Sequence, residues 1–253
     1  MPAVTVVRAA EVEPLVRNDG LRVRRTVGSV TGFAPLEQAI VECPIDAGAS
    51  ASVGDVEQTL FVLSGRGTLE VDGDVHELAP EVGAYLPPHS RYELRSAGPE
   101  PLTAVLVTVP EPVSGPQAGP SVRRLSDQDP EQATAQREFR IVADPGCGLR
   151  SATHFVGYIP TQRAPDHFHT YDEVIYVLDG EGVMHAGELS EPLSAGSCIQ
   201  LPARTVHCLE NTGDGPMRVV AVFRPAGSPA AAFYPDGTPA YTGPPDEQQD
   251  NET

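Results

Sequence analysis

The sequence predicts an all-β protein made of two barrels in tandem, and three observations lead there. First, the chain repeats itself at a constant offset of 115 residues: Phe61-Val62-Leu63-Ser64-Gly65-Arg66-Gly67 matches Tyr176-Val177-Leu178-Asp179-Gly180-Glu181-Gly182. Without gaps, Leu78 then meets Leu193, Leu86-Pro87 meets Leu201-Pro202, Leu94 meets Leu209, Gly98 meets Gly213, Pro101 meets Pro216 and Val105 meets Val220. One register held over about forty residues marks two copies of a single structural unit. Second, the repeated runs are short, rich in β-branched and aromatic residues, and end at Gly-x-Gly turns, as strands do. Third, 26 prolines and 24 glycines suit many loops between short strands better than long helices.

Residues 1–110 are expected to form the first unit. Within it Gln58 to Leu63 reads as a strand, Val71-Asp72-Gly73-Asp74 carries an Asp-Gly hairpin signal, and Leu102 to Val109 reads as a closing strand. Residues 111–135 are expected to be a linker, since Glu111 to Gly119 is rich in Pro, Gly and Ser. Asp129 to Arg137 is the best short helix candidate. Residues 136–226 are expected to form the second unit, with strands at Glu173 to Leu178 and Met217 to Phe223. Residues 227–253, Pro/Gly-rich and ending in an acidic run, are expected to be a mobile tail, although Phe233, Tyr234 and Tyr241 could pack on a barrel.

Composition narrows the function. The chain of 253 residues is 40% hydrophobic, enough for a core, and holds no run of 18 apolar residues to span a membrane. Its start lacks a basic stretch followed by an apolar one, so no secretory signal is expected and the protein reads as cytoplasmic. Cys43, Cys147, Cys198 and Cys208 have no metal-type spacing and read as reduced thiols. A net charge of −18 argues against nucleic acid and anionic membranes as partners. The expected partner is a small-molecule substrate, and a homo-oligomer is left open.

Chemistry concentrates in Asp166-His167-Phe168-His169-Thr170-Tyr171-Asp172-Glu173 and in His207. Three imidazoles and a carboxylate form a donor set for a divalent transition metal. On an extended strand, residues two apart share a face, so His167 and His169 can converge while Phe168 points away. Glu173 and His207 would arrive from neighbouring strands. Four protein ligands on an octahedral ion leave two positions for substrate, as a catalytic site requires. Asp172 and Tyr176 flank Glu173 at odd offsets and should point elsewhere. His185 is expected to be structural.

Gly157 to Gly180, with its His-x-His pair, glutamate and closing glycine, resembles the first cupin motif. Gly196, Pro202, His207 and Asn211 resemble the second, with Arg204 where that pattern has glycine. The resemblance implies two double-stranded β-helix barrels of jelly-roll type. It also implies one metal per chain, iron first, with Mn, Ni, Cu, Co and Zn open, held by His167, His169, Glu173 and His207. In the first unit the offset places Ser52, Gly54, Gln58 and Tyr92 at those positions, so that barrel is expected to bind no metal. Its expected role is structural, with binding of a small ligand as the alternative. Arg204 and Arg163, three and four residues before a histidine, are candidate clamps for an anionic substrate oxygen.

For function, the ligand set makes a dioxygenase acting on a small polar enol, hydroxy-ketone or carboxylate the first expectation. A Mn-dependent hydrolase or lyase, or a decarboxylase or isomerase, is the second. The two-unit plan resembles ureidoglycine aminohydrolases, whose ligand pattern departs from this one at His167, Glu173 and His207. A non-catalytic, small-molecule-binding double barrel is the third.

Overall fold

The computed structural model describes residues 3–115 and 118–241, and its regular structure is antiparallel strand punctuated by three-residue 3-10 turns. Among these residues no helix is long and apolar enough to cross a membrane. Each unit sets a seven-stranded sheet against a smaller one. In the first unit the large sheet runs Ser121–Arg124, Val82–Leu86, Glu57–Ser64, Leu102–Val109, Glu37–Cys43, Arg22–Val27, Leu15–Val16, and the small one Gly48–Ser52, Arg91–Ser96, Gly67–Val71, Asp74–Leu78. In the second unit the large sheet runs Thr5–Arg8, Ser197–Leu201, Asp172–Asp179, Met217–Arg224, Thr153–Ile159, Glu138–Ala143, Glu131–Gln132. Its small sheet keeps only Leu189–Ser194, Glu181–Ala186 and Cys208–Asn211. The fourth strand is reduced there to isolated bridges at Arg163–Glu210 and His167–His207.

The first strand of each unit is exchanged. Thr5–Arg8 pairs with Ser197–Leu201 of the second unit, while Ser121–Arg124 pairs with Val82–Leu86 of the first. The span 111–135 is therefore not a plain linker: beyond residue 120 it holds a strand of the first sheet and Glu131–Gln132 at the edge of the second. The structural repeat also extends further than the 115-residue register. Glu57–Ser64 corresponds to Asp172–Asp179 at that offset, but Glu37–Cys43 corresponds to Thr153–Ile159 at 116.

Strict alternation along the central strands feeds three cores. In Asp172–Asp179, Ile175 and Val177 face the second barrel's interior, with Phe155, Met184 and Phe223. Leu60 and Val62 of the first barrel pack with Leu69, Val71 and Leu86. The opposite faces, including Phe61, Tyr85, Val105, Val174 and Val220, form a third core between the units. His154 is buried in that region, its Nδ1 2.6 Å from Thr59 Oγ1 and its ring edge-on to Phe61.

The turns repeat as well. Glu81 and Gly196 both have φ near +70 to +90° (67° and 87°), and His89 and Arg204 match at 65° and 61°. Arg204 thus keeps the left-handed turn that glycine would favour, fixed by its N–H on His169 O at 2.6 Å, just as His89 N–H holds Gly54 O at 2.7 Å. The expected helix at Asp129 to Arg137 is absent. That span holds a two-residue strand and a 3-10 turn broken by Ala135 and Gln136, both at φ 58°. Nine mostly polar residues offer no apolar stripe to bury, so packing does not rescue a short helix. The tail expected to be mobile from residue 227 is instead packed as far as Tyr241, which lies against the second barrel's core. Residues 242–253 lie outside the described residues.

Candidate metal centre

His167 and His207 are cross-strand partners that exchange both backbone hydrogen bonds, His167 N–H to His207 O at 3.0 Å and the reverse at 2.8 Å. That pairing forces their rings together, with centroids 4.6 Å apart. His169, two residues on, brings its ring to 5.0 Å from His167 and 5.2 Å from His207. Each ring is oriented by a backbone carbonyl: Nδ1 lies 3.0 Å from Pro165 O in His167, 3.0 Å from Ala231 O in His169 and 2.9 Å from Thr205 O in His207. A carbonyl only accepts, so each Nδ1 carries the proton and each Nε2 keeps its lone pair for a ligand role. The three histidines can place one donor each within 4.8 Å of one another, and among the described residues no other group of His, Cys, Asp or Glu does so.

Glu173 enters from the neighbouring strand, paired with Leu201 and Phe223, and is only 4% exposed. Its carboxylate faces the same cavity but stands outside the tight histidine trio. Burial pushes it up to about 8, opposed by the Arg137 charge. Burial likewise pulls the histidines down, His169 to about 3, with neighbouring rings adding to the effect at His169 and His207 and the Arg137 charge at His167. Buried neutral imidazoles beside a carboxylate held from water are a donor set that a divalent cation would satisfy.

The cavity above the histidines measures about 80 Å³. Phe139, Phe155, Ile159, Ile175, Leu209 and Val219 form apolar walls, and Pro229 and Ala232 of the C-terminal segment close one side. That segment is tied down by reciprocal backbone hydrogen bonds between Phe168 and Phe233 at 2.8 and 2.9 Å, with the two rings stacked at 5.6 Å. Tyr171 is sandwiched between His169, 4.6 Å away, and Phe223, 3.8 Å away. It points its hydroxyl at Pro229 O.

The structure brings His167, His169, Glu173 and His207 to one cavity but neither candidate arginine. Arg163 and Arg204 are exposed and do not line it. The reason for Arg163 lies in register: between the Arg163–Glu210 and His167–His207 bridges the pairing slips by one residue, which turns a side chain to the opposite face. Its guanidinium instead lies 3.6 Å from Asp166. Arg204 occupies the tip of the left-handed turn and projects outward. Asp172 accepts from Ala203 N–H, Tyr176 packs in the core between units, and His185 pairs with Glu210 at 2.7 Å, all away from the cavity.

The cation at the cavity is Arg137, which sequence reasoning missed. Its Nη2 donates to Leu209 O at 2.7 Å, while its Nε is buried with no partner. Thr134 Oγ1, also lining the cavity, is likewise buried and unpartnered. No local pattern marks either residue, since they close an irregular turn.

The sequence profile of the cupin domain matches residues 43–108 and 154–223, together more than half of the chain. No curated relative matches. Among solved structures, a Pseudomonas aeruginosa protein provisionally named glyoxylate-induced superposes with a TM-score of 0.75 at 20% identity, covering 88% of this chain and 89% of that one. Ylba from E. coli gives 0.75 at 14% identity, covering 88% and 91%. A point mutant of Bacillus subtilis oxalate decarboxylase OxdC gives 0.73 at 14%, covering 91% and 79%. At these identities the likeness concerns the fold.

Proposed function

Since this chain belongs to the cupin domain family, we propose that it is a metal-dependent enzyme for a small carboxylate-bearing substrate, and specifically a dioxygenase. The observation that carries the substrate class is the pair of unpartnered buried donors, Arg137 Nε and Thr134 Oγ1, facing one small cavity with the histidines. An anionic oxygen would satisfy both, and leaving them unmatched costs about 1–3 kcal/mol each.

His167, His169, His207 and Glu173 would hold one divalent metal, which when bound supplies a Lewis acid with open positions for substrate and a co-reactant. The chain's own residues do the rest. Arg137 orients the carboxylate in two-pronged fashion and balances its charge. The phenylalanine walls take the substrate's apolar part and keep water out. Tyr171 and Ala231 hold the His169 ring, and hence its Nε2, in place. Among the residues lining the cavity there is no Ser, Cys or Lys nucleophile. The one further carboxylate, Glu138, is exposed and takes a hydrogen bond from Gln132. That lining disfavours covalent catalysis by a side chain, and what favours oxygen chemistry over hydrolysis is the nitrogen-rich donor set with a single carboxylate. A decarboxylase is the second reading, favoured by the smallness of the cavity and by the fold shared with oxalate decarboxylase.

Two measurements test this. Metal analysis of untagged protein is expected to give one transition-metal ion per chain, lost in His167→Ala and His207→Ala while the fold persists. Turnover of small carboxylates in an oxygen electrode is expected to consume one dioxygen per substrate. Carbon dioxide release without net oxygen uptake would replace the dioxygenase by the decarboxylase, and metal-free turnover would end both.

A further inference from the structure

The first barrel has lost the metal donors, but it has not simply closed up. Its mouth opens into a cavity of about 310 Å³, several times the volume beside the histidines. The repeat explains the size. Val23, Ala39 and Thr108 line this cavity where the second barrel has Phe139 and Phe155 in its cavity wall and Phe223 in the core behind it. Three phenylalanine rings have been replaced by small side chains. At the same time Ile141 and Thr153 of the second barrel have Arg25 and Glu37 as counterparts. The metal-site positions His167, Glu173 and His207 have become Ser52, Gln58 and Tyr92, all lining the cavity.

The polar groups share one wall. Gln58 pairs in register with Thr108, and Thr108 with Glu37, so the three stand in a row across adjacent strands on one face. Arg25 lies opposite Ala39, two residues from Glu37 along that same face. Gln58 Nε2 donates to Thr108 Oγ1 at 3.0 Å, but its Oε1 is buried and without a partner. Arg25 and Glu37 form no ion pair within 4.0 Å with each other or with any described residue. The other cation of the wall, Arg17, is already held by Asp19 at 2.6 Å and Ser50 O at 2.7 Å. Val23, Val41, Leu94 and Leu106 supply an apolar lining.

We propose that the first barrel is a metal-free binding site for a small α-amino acid. Arg25 takes its carboxylate, Glu37 its ammonium, Gln58 Oε1 one of its N–H groups, and the aliphatic lining its side chain. Arg25 and Glu37 are exposed charges at the mouth and Gln58 Oε1 is a buried acceptor without a partner, so a zwitterion can engage all three, whereas a simple anion or an apolar ligand engages at most one.

Isothermal titration of the metal-loaded full chain with L-alanine, L-valine and L-leucine tests this, with the corresponding amides and N-acetyl derivatives as probes lacking one charge. At least one amino acid is expected to bind at one per chain, and its amide and N-acetyl forms at least tenfold more weakly. Arg25→Gln and Gln58→Leu are expected to weaken binding at least tenfold, with melting temperature and metal content unchanged. Arg137→Leu, in the other barrel, is expected to leave binding as it is. The proposal falls if none of the three amino acids binds, if the singly charged derivatives bind equally well, or if Arg137→Leu rather than Arg25→Gln abolishes binding. Should Arg25→Gln fail to fold, Gln58→Leu set against Arg137→Leu decides, since only the first is expected to weaken binding.

Discussion

The orientation of His169 depends on a segment far along the chain, and removing one ring there should loosen the metal. Phe233 stacks on Phe168 at 5.6 Å and pins the carbonyl of Ala231, two residues earlier, to His169 Nδ1 at 3.0 Å. In Phe233→Ala the lost stack is worth about 0.5–1.5 kcal/mol, and this loss falls on docking of the segment rather than on the ion. What reaches the ion is the His169 hydrogen bond, about 0.5–1.5 kcal/mol. At about 1.4 kcal/mol per decade that is a loss of roughly two- to tenfold in metal affinity. Partners of ligating histidines cost about 10–100-fold when removed, so the expected loss is about tenfold. The barrel core does not include Phe233, so the melting temperature should fall by less than about 4 °C, the shift for roughly 1 kcal/mol in a chain of this size. Competition against a chromophoric chelator gives the affinity, and hydrogen exchange at the Phe168 and Phe233 amides reports whether the segment has been released. Fast exchange at those amides with unchanged affinity would refute the coupling.

Three further outcomes follow from the geometry. Arg137→Leu should raise the substrate KM by a factor corresponding to about 1.5–3 kcal/mol, with metal content unchanged, whereas Arg204→Ala should do neither, as steady-state kinetics on both will tell. His154, fully buried, has its pKa pulled to about 3 by burial, so the folded state takes up fewer protons than the unfolded one between that value and 6.5. The stabilising effect is complete above pH 6.5 and is lost as pH falls toward 3. Denaturant titration of metal-loaded protein should therefore show about 2 kcal/mol lost between pH 7 and pH 5 that His154→Gln does not lose. Gly180, at φ 88°, would put a Cβ 2.7 Å from Met217 Cα, while Gly187, at φ 61°, faces open space. Gly180→Ala should cost well over about 1 kcal/mol and more than Gly187→Ala, as urea midpoints would show.

The barrels were legible because both copies keep the same turn chemistry at the same spacing, and a β-strand's two-residue period makes ligand faces readable. The histidine trio is legible for that reason. The 115-residue register loses its hold in the first third of each unit, where one residue's difference in a loop moves the correspondence to 116. That slip hid the kinship of Thr5–Arg8 with Ser121–Arg124, and with it the strand exchange. Spacing arguments for Arg163 assumed a continuous strand, and the slip between two bridges reversed its face. Arg137 and Thr134 belong to a turn with two left-handed residues, a conformation that no periodicity encodes. The closing segment, rich in Pro and Gly, reads as a tail because its order comes from two aromatic rings and from carbonyls, and backbone acceptors leave no mark in a sequence.

The strand exchange bears on why a barrel without metal donors persists at all. Thr5–Arg8 borders Ser197–Leu201, and Ser197–Leu201 borders the strand of Glu173. Deleting the first barrel with its leading strand would leave Ser197–Leu201 as a bare edge beside the strand that carries Glu173, open to pairing with other chains. Deleting the second would strip Ser121–Arg124 from Val82–Leu86 in the same way. The halves are thus indivisible in a sense that a hinge between two finished domains would not impose. Each completes the other's wall, so either can change its chemistry freely while neither can be discarded.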